Sequence, residues 1–356
     1  MRGGLLAVLR AIGFVAIALI LCGVIFEASG FSAPDMFSAI LDGAFLSDGA
    51  LQHDLRWACP LFVSATGVIV AFRCGYFNVG TQGQFYMGGI GAAVAVAVLP
   101  GLPALLVTLA ALLFGLAFGA LWSFWPGWLR IRSGTDEVIT TLMGNFIAGL
   151  FLVWLTSGPL KDPTGSGQVT SSPPIAAAIR ISTDTGVSGW IIGLTLLVGA
   201  LTWLLVNRTA FGVLGGLAGR NPVMVTWQGA SLGRLGIGAF LFSGATAGLA
   251  GAMEVLGPDG RLVSGFSPAH GFTAVLIALV AGLSVSGSVI VALFFGGLAS
   301  ASLYLPVIAG LPSAAIDMVN AAIALFITSR AMPRFLHLPR RRPIAARPNA
   351  ARSDRA

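Results

Sequence analysis

The side chains best placed to do chemistry are few and widely spaced. Asn78, Gln82 and Gln84 stand among Gly75, Gly80, Gly83 and Gly88 inside an otherwise apolar stretch, and Asn145 follows in a later one. Amides at membrane depth cost free energy unless paired, so they face a cavity or another helix. Two roles fit them equally: lining a path for a polar solute, or capping helices and bonding across them. Glu254 and Asp317 are carboxylates within apolar stretches, which makes each a functional candidate by default. Glu254 lies near the end of its stretch, where it can reach the interface. Asp317 is one turn from Asn320, close enough to bond it.

Other chemistries are excluded. Lys161 is the only lysine, and Leu160 and Asp162 flank it, so no P-loop exists. No His-Glu-x-x-His or Cys-x-x-Cys occurs, and Cys22, Cys59 and Cys74 match no zinc or redox spacing. An intramembrane serine protease would need His270 with Ser243 or Ser286, but neither serine has a nucleophile's Gly-x-Ser-Gly context. The reading is of a chain that is not an enzyme, carries no cofactor and binds no metal.

The elements that must position these residues are membrane helices. Of 356 residues, 56% are hydrophobic and only 9% are charged, against roughly 25% charged in soluble domains. Mean hydropathy is +0.91. Ten stretches are long enough to span or nearly so: Ala11–Phe26, Trp57–Phe72, Gln84–Leu99, Leu102–Trp125, Val138–Leu155, Ser188–Val206, Leu235–Leu256, Gly271–Leu283, Gly287–Leu305 and Leu311–Ser329. The first reads as an uncleaved span, not a signal peptide. Trp57–Phe72, Gln84–Leu99 and Gly271–Leu283 are short, and Gly-rich polar segments adjoin them. Residues 73–86 and 257–270 are therefore expected to be broken or re-entrant, in matching positions of an inverted repeat. Gly115-x3-Gly119 and Gly244-x3-Gly248 are expected to let helices approach closely.

The net charge of +7 is an orientation signal. With both termini inside and ten crossings, sixteen basic residues fall on the cytoplasmic side and four (Arg56, Lys161, Arg180, Arg261) on the other. Nucleic acid is not a partner, because too little polar surface remains to build a basic face. An amphipathic stretch from Asp35 to Leu46 is expected on the membrane surface, and Gly158–Val187 as an ordered cap. Residues 1–335 form the transmembrane domain, and 336–356 a disordered basic tail that touches anionic lipid.

Four segments carry a resemblance. They are Ala71 to Phe85, with Phe77-Asn78-Val79-Gly80-x2-Gly83-Gln84 as the most specific phrase; Gly134 to Phe146; the loop Thr209 to Ala230; and Gly271 to Val275 with the turn Ser284 to Ser288. In this order the chain resembles the permease subunits of bacterial ABC importers for simple sugars and nucleosides, within the superfamily of ribose and branched-chain amino acid permeases. The resemblance implies an all-α, multi-pass protein of the inner membrane that moves a small polar solute by alternating access. ATP would be used by a separate ATPase subunit. A related but different second permease and an extracytoplasmic substrate-binding protein would complete the assembly. It also implies a short coupling helix that docks on the ATPase, matching Gly219, Arg220, Asn221 and Pro222 at its start and Gly229 at its end. Met224-Val225 depart from the small residues usual there. The rival reading is a proton- or ion-coupled secondary transporter.

Overall fold

The apolar stretches become helices in a computed structural model of the chain, which describes residues 20–28, 30–164, 169–182, 187–267, 269–308, 318–319 and 321–322. Residues 20–28 are helical. After them come α1 (Ala33–Leu41), a π-helical turn (Asp42–Leu46), α2 (Ala50–Arg73), α3 (Thr81–Val98), α4 (Ala104–Ser133), α5 (Glu137–Ser157), α6 (Gly189–Arg208), α7 (Ala210–Ala218), α8 (Pro222–Trp227), α9 (Leu232–Leu256), α10 (His270–Val280) and α11 (Val285–Ile308). Among the described residues six helices are long and apolar enough to cross a membrane: α2, α4, α5, α6, α9 and the Val285–Ser302 part of α11. Asp317, Asn320 and the tail 336–356 lie outside the described residues, as does most of Ala11–Phe26 and Leu311–Ser329.

Polar capping sets the helix starts. The Asp136 carboxylate accepts from the Val138 and Ile139 amides at 2.8 and 3.4 Å, and the Ser188 hydroxyl caps α6. Trp57–Phe72 is not a short span. Its helix begins at Ala50 and runs 24 residues through Pro60. Hydropathy falls off before Trp57 because Asp54 and Arg56 are polar, yet the protein interior receives both side chains. The segment before α10 does break the chain: α10 has only 11 residues, about half of what a crossing needs.

The amphipathic stretch turns its apolar side to protein. Met36, Ile40 and Ala44 are buried in one core with Phe62, Ile69, Phe295 and Leu298, while Leu41 and Leu46 stay exposed. A second core gathers α3, α4, α5 and α9 around Phe85, Ile90, Leu152, Met253 and Leu256. At its centre α3, α4 and α9 meet backbone to backbone. A Cβ on Gly248 would sit 2.3 Å from the Gly115 carbonyl oxygen, and one on Gly88 would sit 2.0 Å from the Gly248 oxygen. These small residues replace side-chain interdigitation with direct backbone contact, as lipid-embedded helices require.

Residues 158–164 and 169–182 lie as a cap over the end of α9 and the loop that follows it. Ser172 N–H donates to Leu262 O (2.8 Å), Ile175 N–H to Gly260 O (2.7 Å) and Ile181 N–H to Leu256 O (2.9 Å).

Candidate functional site

The break between α2 and α3 is closed by side chains from three helices. Asn78 and Gln84 face one another, and each amide N–H donates to the other's oxygen at 3.0 Å. Asn78 Nδ2 also donates to Ser243 Oγ of α9 at 2.9 Å, and its Oδ1 accepts from Gly80 N–H at 3.0 Å. From α5, Asn145 Oδ1 accepts from Gly83 N–H (2.7 Å) and its Nδ2 donates to Val79 O (3.0 Å). Thr141 Oγ1 accepts from Val79 N–H, and Glu137 Oε1 from Phe77 N–H, both at 3.3 Å. Glu137 is itself held by Arg130 Nε at 3.0 Å. Asn78, Gln82, Gln84 and Asn145 are all buried. The N–H groups of Phe77, Val79 and Gly80 and the Val79 carbonyl thus find partners on side chains, as irregular backbone at membrane depth requires.

Gln82 joins the two breaks. Its Nε2 donates to Ser267 O at 3.0 Å, and its Oε1 accepts the Gly271 N–H at the start of α10. Ser267 holds a positive φ of 45°, a conformation uncommon for a residue with a side chain. A Cβ on Gly271 would lie 2.2 Å from Gln82 N, so only glycine lets the helices approach this far. Next to this contact His270 is buried and stacks on Phe85, with ring centroids 4.2 Å apart.

At one end of the bundle, Glu254 does not reach outward. It is 1% exposed and pairs with Arg56 Nη2 at 3.4 Å, while Arg56 also approaches Asp259 Oδ1 at 3.9 Å. Arg180 from the cap donates to Gly257 O and Pro258 O at 2.9 and 3.4 Å. Among the described residues Glu254 Oε2 and Asp259 Oδ2 lack a hydrogen-bond partner. Burial pushes the Asp259 carboxyl up to about 6, against the opposing pull of Arg56 and Arg180.

At the other end, residues 210–231 form two short helices. Gly219 lies against Gly75 and the Arg73 carbonyl, so the loop is seated on the end of α2. Asn221 Oδ1 accepts from Met224 N–H at 3.4 Å with Pro222 in the first turn, which starts α8. Gly229, at φ +74°, ends the excursion. Val225 is fully buried against Ala218 and Leu235, and Val223, Met224 and Trp227 are exposed, Trp227 at 83%. Arg220 is exposed at the α7–α8 turn.

The sequence alone does not single out Ser243, Thr141, Glu137, Arg56 and Arg180. Arg56 had the clearest signal, a lone charge one residue before an apolar stretch. Ser243 Oγ accepts from Asn78, and His270 Nε2 has no hydrogen-bond partner among the described residues, so the two are not paired.

A bundle of apolar helices with a buried polar break and an exposed short helix at one end defines a multi-pass α-helical membrane protein. The chain belongs to the family of branched-chain amino acid transport system permease components, whose model matches residues 53–328. It is 33% identical to the guanosine ABC transporter permease protein NupP of Bacillus subtilis, over 86% of this chain and 89% of that protein. It is 29% identical to the glucose ABC transporter permease protein TsgB13 of Haloferax volcanii (90% and 87% covered). A third relative, the nucleoside ABC transporter permease protein NupB of Lactococcus lactis, is 28% identical with 93% of both chains covered. The chain is an ABC transporter permease and a multi-pass protein of the bacterial inner membrane. Permeases of this family work with an ATPase and a substrate-binding protein.

Proposed function

We propose that this chain is one half of the membrane pathway of an importer for a nucleoside or simple sugar. A separate ATPase drives it, and a related but different permease chain supplies the other half. ATP is consumed by the ATPase, and this chain carries no cofactor. An extracytoplasmic binding protein delivers the solute to the end that holds Glu254 and the 158–187 cap. Both termini are cytoplasmic after ten crossings, with residues 73–86 and 257–270 as the corresponding breaks of an inverted repeat. The basic tail touches anionic lipid, and nucleic acid plays no part.

The observation that carries this reading is α8. Gly219, Arg220, Asn221, Pro222 and Gly229 frame a six-residue helix whose buried Val225 anchors it and whose Val223, Met224 and Trp227 face outward. A short lever fixed on one side and bare on the other is what coupling to a motor subunit requires. Met224 and Val225 divide these two tasks, one exposed and one buried. The similarity to permeases for guanosine, glucose and nucleosides supports the solute class.

We assign Asn78, Gln82, Gln84, Asn145 and Glu254 to the path wall. In the closed arrangement the amides satisfy one another. Alternating access requires those bonds to be exchanged for bonds to water and solute as the two breaks separate. The test is co-purification with the ATPase subunit of the transporter. Trp227→Asp with Met224→Asp should abolish co-purification and leave membrane insertion unchanged. Undiminished ATPase binding would remove α8 from the coupling role.

A further inference from the structure

A cleft of about 590 Å³ lies between the end of α4 and the start of α9, lined by Trp128, Ile131, Arg132, Ser231, Arg234 and Ile237 among others. We propose that it binds the phosphate headgroup of an anionic phospholipid.

Its chemistry is divided in the way such a ligand is divided. Arg132 and Arg234 line the one cleft from two different helices, and no acidic residue lines it. Both are exposed, and among the described residues neither forms an ion pair, unlike Arg130 and Arg56. Two guanidinium forks converging on one space suit a phosphate diester, whose oxygens accept parallel N–H bonds. Trp128, half exposed at the rim, is the residue type that settles at headgroup depth.

The apolar half of the ligand has a track. Leu121, Phe124, Trp128 and Ile131 are all exposed and recur at three- and four-residue spacing, so they form one stripe along α4 that ends at the cleft. Only 22% of the apolar window of α4 is buried inside the protein. A headgroup in the cleft would lay its acyl chain along this stripe. A soluble acidic partner would instead have to seat beside lipid-facing surface, which favours the lipid. Basic pockets between membrane helices hold anionic headgroups on the same physical grounds. The site stands whichever way the chain is oriented, because both leaflets present phosphate.

The full chain, reconstituted in nanodiscs of phosphatidylcholine with a minor fraction of phosphatidylglycerol, is re-extracted and its retained lipid is measured by mass spectrometry. Wild type should retain phosphatidylglycerol selectively. Arg132→Gln with Arg234→Gln should weaken that retention about tenfold or more, Arg132→Lys with Arg234→Lys should weaken it less, and Arg208→Gln, a control for general charge at the same end, should not change it. Both arginines are exposed, so the variants fold. Equal retention in wild type and the Gln pair would overturn the proposal. So would complete displacement by inorganic phosphate, which would show that the acyl track contributes nothing. Loss of ATPase co-purification with lipid retention unchanged would reassign the arginines to a protein contact.

Discussion

The break at residues 77–84 and the charged knot around Glu254 are both buried polar clusters in an apolar bundle, yet they are finished to different degrees. In the break, amide faces amide, Ser243, Thr141 and Asn145 bond the segment from other helices, and Thr81 Oγ1 is the one side-chain atom of residues 77–84 left over. In the knot, one arginine at 16% exposure serves two carboxylates, and an oxygen of each is left over. Neutral amides reciprocate, since each is donor and acceptor, and so they can close a network completely. Carboxylates are only acceptors and need more donors than Arg56 and Arg180 supply. The break is therefore the better satisfied of the two in this arrangement, and the knot is the weaker clasp at the end where the solute would enter.

Mutations should separate the two. Asn78→Leu keeps the volume but orphans the Gln84 amide and Gly80 N–H, at about 1–3 kcal/mol for each unpaired buried group, a loss of roughly 2–6 kcal/mol. Thermal unfolding in detergent reads this, and the gentler Asn78→Ala and Gln84→Ala are expected to reduce uptake while membrane insertion stays intact. In the knot, Arg56→Met strands Glu254 and should cost about 3 kcal/mol, whereas Arg56→Met with Glu254→Met should return to near wild type, because a buried ion pair gains little over apolar residues of like size. Equal costs for the single and double variants would place the knot with the better-satisfied break. Gln82→Ala cuts the tie between the two breaks and should lower stability by about 1–3 kcal/mol, with uptake falling further than that loss explains.

The smallest effect is one of pH. The Asp259 carboxyl is raised to about 6 in the folded protein, above its usual value of about 3.9. Between these values the folded state holds more protons than the unfolded one, so the Asp259 contribution to stability falls as pH rises from about 4 to about 6. Melting curves across that range should show the step in wild type and lose it in Asp259→Asn.

Much of this was legible in the sequence. The glycine pairs of α4 and α9, the amide-rich break, and the α8 boundaries at Asn221, Pro222 and Gly229 are local patterns with local causes. What could not be read was the pairing over distance. Gln82 reaches Gly271 across 189 positions and Arg56 reaches Glu254 across 198, and no periodicity encodes which polar group on another helix will answer. Helix length failed in α2 for a related reason. Hydropathy treats Asp54 and Arg56 as solvent residues, while the fold buries the first and pairs the second. The Asp35–Leu46 stretch has the amphipathicity of a surface helix, and only the presence of α11 decides that protein covers its apolar side.

The central claim is that a separate ATPase powers solute movement through this chain. Proteoliposomes holding this chain, its partner permease and the ATPase, supplied with the binding protein and a radiolabelled nucleoside or sugar, test it most directly. Uptake should require ATP on the ATPase side, stop with a hydrolysis-deficient ATPase, and ignore an imposed pH gradient. Accumulation driven by the pH gradient in liposomes containing this chain without any ATPase would contradict the account.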